Sequence, residues 1–159
     1  MSLSLSLVFL LGILFLTGLF LIGKFNALVQ IRRRITTEAL QLDFALRESL
    51  YLAPKNREGE GRSGSSVEIT DKKLMIELLA HRGAANPVST EGIAMLIKAV
   101  QLLESLNQII NHSFHEEVLK REQRCLTQVN EYNARLIDLP TALVAWAFGF
   151  KPIRMDGDI

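Results

Sequence analysis

The stretch HSFHE holds the densest group of metal-binding side chains in this sequence. His112 and His115 are three residues apart, and Glu116 follows directly, so a helix would present two imidazoles beside a carboxylate. Carboxylate-bridged di-iron bundles use Glu-x-x-His on two helices, with further glutamates on the other helices. No second such element occurs here, and His81 stands alone. We therefore interpret HSFHE as a solvated helix face and predict no metal and no cofactor; a helical metalloenzyme using these three residues is the alternative.

Two other features resemble reactive sites. Cys125 has no histidine nearby and lies on an apolar helical stripe, which indicates a buried structural thiol rather than a nucleophile. Gly59, Gly61 and Gly64 form a G-x-G-x-x-G sequence. A dinucleotide site requires a strand before those glycines, whereas a predicted helix precedes them here. We interpret this stretch as a linker and predict no enzyme activity, no catalytic residue and no small-molecule substrate.

The bulk composition narrows the class of protein. The chain has 159 residues, which suffices for one modest domain and a membrane segment. Lys and Arg together number 18 and Asp and Glu 17, so no basic face for nucleic acid is indicated. The single Cys cannot form an intramolecular disulfide.

The first 23 residues are predicted to be a short tail and a transmembrane helix. Leu3 to Ile22 carries no charge, and about 20 residues in a helix span roughly 30 Å, the thickness of the bilayer hydrocarbon. The alternatives are a cleaved signal peptide and a buried core helix. A signal peptide would have a basic start and a small-residue cleavage site, whereas this chain starts with MSLSLS and continues with GKFNALV after the apolar run. We predict an uncleaved signal-anchor helix that crosses the membrane once.

Four basic residues follow this span before any acidic residue: Lys24, Arg32, Arg33 and Arg34. The positive-inside rule then places the large C-terminal part in the cytoplasm and the short N-terminus outside the inner or plasma membrane. The same side chains are also suited to anionic lipid head groups, at about 1 kcal/mol each.

Helical periodicity dominates the rest of the chain and predicts an all-α fold. Residues 24–55 form the first bundle helix, which continues the membrane helix into water. Its one apolar stripe consists of Leu28, Ile31, Ile35, Ala39, Leu42, Leu46 and Leu50. Residues 56–66 form a flexible linker, and 67–139 contain the remaining bundle helices. The long last helix has two apolar stripes: Ile93, Leu96, Val100, Leu103, Ile110 and Phe114 mark the first, and Cys125, Val129, Tyr132, Leu136 and Leu139 mark the second. Asp71 and either Ser89 or Thr90 are predicted helix caps, and the long last helix has least support near Asn111 to Ser113. If this last helix returns towards the membrane, it runs antiparallel to the first bundle helix.

The C-terminal segment, 140–159, begins with a second apolar run that is too short to cross a bilayer. Pro140 suits the start of a new helix. If the preceding helix returns, LPTALVAWAFGF reaches the membrane surface, where Trp146 and Lys151 are favoured residue types. The alternative is that this run caps the core of the bundle.

Both ends of the chain resemble the LemA family of membrane-anchored helical proteins. The matching positions in the first helix include Phe25, Asn26, Leu28, Val29, Gln41, Asp43 and Pro54. Those at the C-terminus are Tyr132, Asn133, Pro140, Gly149, Phe150, Lys151 and Pro152. The middle departs from the family pattern, because Gly and Ser follow the proline and Cys125-Leu126 replaces a Tyr-Asn pair. The chain thus looks like a shortened or divergent member.

The resemblance implies an elongated antiparallel helical bundle with its N-terminus outside the membrane and no established catalysis. Membrane or envelope stress is often suggested for the family. We expect an interaction or scaffold element whose partners are membrane lipid and either a second copy of itself or another protein.

Overall fold

The computed structural model describes the backbone of residues 2–52, 63–107 and 112–154 and the side chains of residues 6–51, 70–106 and 116–154. Over these ranges the chain is all-α and has no strand, as predicted. The helices are α1 (Ser2–Leu52), α2 (Ser63–Ala85), α3 (Thr90–Asn107), α4 (His112–Ile137) and α5 (Thr141–Ala147).

Helix α1 joins the apolar N-terminal run to the amphipathic stretch without interruption, which confirms that prediction. No proline occurs before Pro54, and the apolar residues recur at steps of three and four, so nothing in the sequence ends the helix earlier. Most members of the predicted stripe are buried: Leu28, Ile31, Ile35, Ala39, Leu42 and Leu46. The apolar run itself is unburied.

The chain divides into two compact units. The terminal unit consists of Met1–Arg32 and Asn130–Pro152, and the central unit consists of Arg33–Val129 and the residues from Ile153 onward. The terminal unit buries Leu28, Ile31, Tyr132, Val144 and Ala145. The core of the central unit draws on α1 to α4 and includes Ile35, Leu42, Leu46, Ile76, Leu96, Val100, Val118 and Val129.

Helices α2 and α3 pack closely through a short glycine-flanked turn. Ser89 caps α3 as predicted, because its hydroxyl accepts a hydrogen bond from the Gly92 N–H at 2.9 Å. The predicted cap at Asp71 is wrong: α2 already begins at Ser63, and Asp71 lies in its interior. The last four residues of the expected linker are therefore helical, and the others lie outside the described residues together with Pro54.

Gly92 gives the clearest stability prediction for the central unit. A Cβ atom there would lie 2.0 Å from the Asn86 carbonyl oxygen, and this backbone atom cannot rotate away. We expect Gly92→Ala to lower the free energy of unfolding by about 3 kcal/mol or more. Thermal unfolding followed by circular dichroism measures this loss. Gly12→Ala is the control because no atom lies within 4 Å of the position that its added methyl group would take; equal melting temperatures for both variants would contradict the packing.

The predicted long last helix is represented by α3 and α4. Of the stretch with least support, Asn111 to Ser113, His112 and Ser113 begin α4, and Asn111 lies outside the described residues together with 108–110. On α3, Ile93, Leu96, Val100 and Leu103 are buried as the periodicity predicts. On α4, Cys125, Val129 and Tyr132 of the second stripe are buried, and Leu136 is half-buried. Leu139, which the same periodicity includes, is exposed because the helix ends at Ile137.

Candidate membrane-interface site

Helix α5 forms a corner within the terminal unit. It begins at Thr141, which confirms the predicted helix start near Pro140, and the Leu139–Pro140 peptide before it is cis. One face buries Thr141, Val144 and Ala145. Gly149 ends the helix with a φ of 70°, a left-handed conformation that favours glycine. The Phe150 N–H then donates to the Ala145 carbonyl at 2.9 Å, which closes a Schellman motif.

Aromatic side chains hold the end of α5 against α1. The ring centroid of Phe25 lies 4.7 Å from that of Phe148 and 5.7 Å from that of Phe150. Such pairs contribute about 0.5–1.5 kcal/mol each beyond their buried area. The Arg32 guanidinium lies 5.4 Å from the Phe150 ring, a cation–π distance. Because Phe25 is two residues beyond Gly23, these contacts hold the C-terminal segment beside the end of the apolar run.

Tyr132 connects α4 to the same C-terminal segment. Its side chain is 1% exposed, and its hydroxyl donates a hydrogen bond to the Lys151 carbonyl at 3.1 Å. Burial raises the pKa of the Tyr132 hydroxyl, and the nearby Arg32 charge opposes part of that increase. The ring is thus packed in the terminal unit while its hydroxyl has a backbone partner.

The opposite face of α5 is apolar and exposed. Trp146 is 85% exposed, and Leu143 and Phe148 also have most of their surface accessible. Leu139 and Ile137, just before the helix, are exposed as well. One face of α5 therefore belongs to the core of the terminal unit, as one of the two alternatives predicts, while the other face is mostly exposed among the described residues. The interfacial position stays a prediction. This second face, Ile137, Leu139, Leu143, Trp146 and Phe148, is called the α5 apolar face below.

A cleft of about 660 Å³ lies between α1 and the α4–α5 corner. Phe20, Leu28 and Leu139 supply apolar lining, and Lys24 and Arg135 supply positive charge. The Lys24 ammonium lies 5.4 Å from the Phe20 ring and makes no ion pair with the side chains that the structure describes. The Thr141 hydroxyl and the Asp138 carboxylate complete the polar part. The Arg135 guanidinium pairs with the Glu131 carboxylate at 2.8 Å, so Lys24 is the cation of this lining that an anionic group could meet, with apolar surface beside it.

No family model matches the sequence, and neither a curated protein nor a solved structure matches it. The resemblance to the LemA family accordingly stays a prediction.

The remaining predicted residues of this surface are more dispersed. Arg33 and Arg34 are exposed on α1, and Lys151 and Pro152 are exposed after α5. Of the family-motif positions, Asn26 is exposed and Asn133 is half-buried, with a polar partner. Asp43 is in the central unit, where its carboxylate pairs with Arg47 at 3.0 Å. Phe25 and Phe150 meet within the terminal unit, and Asp43 belongs to the central unit.

The residues first considered for chemistry give a mixed outcome. The side chains of His112 and His115 lie outside the described residues, and Glu116 is exposed. His81 is exposed, and its Nδ1 accepts a hydrogen bond from Arg47 at 3.1 Å. Across the side chains that are described, no group of three or more His, Cys, Asp and Glu could hold a metal ion. The metalloenzyme alternative is thus untested at its two histidines.

Cys125 is buried, as predicted. Burial raises the pKa of its thiol to about 11, and the charges of Glu38 and Glu122 add to the increase. A thiol is reactive as the thiolate, so this side chain is protonated and shielded at neutral pH.

We expect Cys125 to resist maleimide at pH 8 in the folded protein and to react fully in denaturant. The raised pKa also sets a pH dependence: the stabilisation is complete below the unfolded pKa near 9 and is lost as pH rises towards 11. The loss is about 2–3 kcal/mol. Mass spectrometry of labelled protein and unfolding between pH 8 and 11 measure the two effects. Rapid labelling at pH 8 without denaturant would contradict the burial.

Sequence reasoning missed the cleft residues Arg135 and Asp138. Both lie within five residues before Pro140. Charged residues close to a proline that ends a helix were the available signal for a polar site there. Their meeting with Lys24 depends on tertiary packing over more than one hundred positions, which periodicity does not report.

Proposed function

We propose that this chain is a single-pass membrane protein that acts as an interaction or scaffold element at the cytoplasmic face of the cell membrane. The observation that carries the proposal is the unburied apolar run of α1 beside the equally unburied α5 apolar face. A core helix of a soluble protein would have protein against it, whereas these two surfaces are suited to lipid.

The two surfaces fit different depths of one bilayer. Residues 2–22 of α1 cross the hydrocarbon, and α5 lies in the head-group region, where interfacial helices bury their apolar face by about 5–10 Å. Trp146 and Lys151 are residue types favoured at that level. Lys24, at the end of the span, binds the phosphate of a lipid head group, because its ammonium lies beside the apolar wall of the cleft.

Topology and partners follow from the same anchor. Lys24, Arg32, Arg33 and Arg34 place the chain after the span in the cytoplasm by the positive-inside rule. The anchor confines the helical bundle to two dimensions, so its exposed faces meet partners at raised effective concentration. The resemblance of both chain ends to the LemA family supports the same architecture of an elongated antiparallel bundle and links it to membrane or envelope stress.

A proximity-labelling enzyme fused after Ile159 tests compartment and partners together in living cells. The proposal predicts that cytoplasmic proteins and the cytoplasmic parts of membrane proteins are labelled. A matched fusion carrying Leu11→Arg and Leu14→Arg in the span should lose the enrichment of membrane proteins. Labelling of proteins on the opposite, non-cytoplasmic side of the membrane would overturn the topology. An unchanged set of labelled proteins in the matched fusion would overturn the role of the anchor.

A further inference from the structure

The central unit carries an apolar groove that the anchor and α5 do not use. The groove has a volume of about 680 Å³ and lies between the end of α1 and α2. Phe44 and Tyr51 line it from α1, and Leu74 lines it from α2. Tyr51 is 90% exposed and Phe44 is 68% exposed, so two aromatic rings face solvent in the same place.

The stripe on α1 is separate from the stripe that forms the core. Leu40, Phe44 and Tyr51 follow one another at steps of four and seven, on the helix face away from Leu42 and Leu46. Leu78 extends the α2 side by one turn and is also exposed. Amphipathic helices need one apolar stripe to fold, so a second exposed stripe indicates an association surface.

The rim of the groove is charged with both signs. Glu48 and Glu77 are acidic and Lys73 is basic, and none of the three makes an ion pair with the described side chains. Arg47 is already paired with Asp43 at 3.0 Å. Glutamates at the rim oppose binding to an anionic lipid surface, whereas a mixed rim is complementary to a copy of itself under a two-fold rotation.

The exposed area matches what a stable dimer needs. Leu40, Phe44, Tyr51, Leu74 and Leu78 together expose about 600 Å² if large side chains present roughly 150–250 Å² each. Complete burial of these side chains in both copies would remove about 1,200 Å², the lower bound of specific stable interfaces. The chain's own connection between α1 and α2, Ala53–Arg62, offers no apolar side chain larger than proline to cover this surface.

We propose that this groove binds the same groove of a second copy, which forms a parallel two-fold dimer of the membrane-anchored protein. The inference rests on the proposed anchoring, because both copies then carry the same number of residues between span and groove and meet in one membrane. Phe44, Tyr51 and Leu74 fill the centre of the interface. Lys73 of one copy lies near Glu48 or Glu77 of the other at the rim.

Cysteine cross-linking of the full-length protein in its membrane tests the dimer. Tyr51→Cys and Leu74→Cys, made separately, should give a covalent product of twice the monomer mass with a short bis-maleimide. Lys98→Cys, exposed on α3, should give none, and the buried Cys125 contributes little background. Products of other masses would overturn a second copy as the occupant, and monomer alone from both variants would overturn the interface.

A charge-insertion pair measures the strength of the interface. Leu74→Glu should lower the dimer fraction in proteoliposomes by about tenfold or more, measured by single-molecule photobleaching. Met75→Glu is the matched control, because Met75 is exposed on the same helix but lies outside the groove. Equal dimer fractions in the two variants would overturn the proposal. Alkaline carbonate extraction distinguishes a failure of the proposed anchoring from a failure of the proposed dimer. A dimer that is extracted from the membrane would refute only the anchoring, and a monomer that stays in the membrane would refute only the groove interface.

Discussion

Two arginines in the first half of α1 are expected to release the protein from the membrane. Leu11 and Leu14 are exposed and make up part of the apolar run, so Leu11→Arg with Leu14→Arg disturbs no internal packing. Each arginine at the centre of a span raises the apparent insertion free energy by about 2.5–3.5 kcal/mol. The pair therefore shifts insertion by about 6 kcal/mol, comparable with the favourable total of the leucines and phenylalanines that remain.

Extraction with alkaline carbonate measures this effect, because it leaves integral proteins in the pellet. The unmodified protein should stay in the pellet, and the double arginine variant should appear in the supernatant. Leu11→Ala with Leu14→Ala is the control for altered helix surface and should stay in the pellet. Retention of the arginine variant would show that surface contacts, rather than a crossing helix, hold the chain on the membrane.

Removal of the Tyr132 ring is expected to cause the largest loss of stability among single substitutions in the terminal unit. Tyr132 is one of the largest fully buried side chains, and its hydroxyl ties α4 to the Lys151 carbonyl. Tyr132→Ala should lower the free energy of unfolding by about 3–5 kcal/mol, since a large cavity remains. Tyr132→Phe retains the ring and should lose only about 1 kcal/mol with the hydrogen bond.

Unfolding of both variants in detergent, followed by circular dichroism, gives these two values. Limited chymotrypsin cleavage after Phe150 supplies a second measurement, because loss of the ring should expose the C-terminal segment much more than loss of the hydroxyl does. Equal destabilisation by the two substitutions would mean that the hydrogen bond, and not the packing of the ring, carries the contribution of Tyr132.

Periodicity predicted the elements well, since burial imposes a repeat of 3.6 residues on a helix. The stripe from Leu28 to Leu46 is buried as expected, and α1 continues from the apolar run as one helix. The cap at Asp71 failed for a local reason: an acidic residue suits a helix start, but Ser63 and the residues after it were already helical. Sequence composition had favoured a linker there.

The surfaces proposed for binding were less predictable. Trp146 was identified by residue type, but its exposure depends on which face of α5 meets the aromatic cluster around Phe25. Phe44 and Tyr51 form a second stripe that was visible in the sequence, yet a stripe alone does not tell whether α2 covers it. These features arise from packing between distant segments, and residue spacing within one segment does not determine that packing.

Trp146 provides the most direct measurement of membrane contact by both helices, because it is the single tryptophan of the chain and lies at the centre of the α5 apolar face. Full-length protein is reconstituted into vesicles that contain lipids brominated at different depths of the acyl chain. We expect strong quenching of its fluorescence by bromines near the head groups, weaker quenching by bromines near the bilayer centre, and little quenching by iodide in the water. Full quenching by iodide with no effect of brominated lipid would contradict the claim that α1 and α5 meet the same membrane.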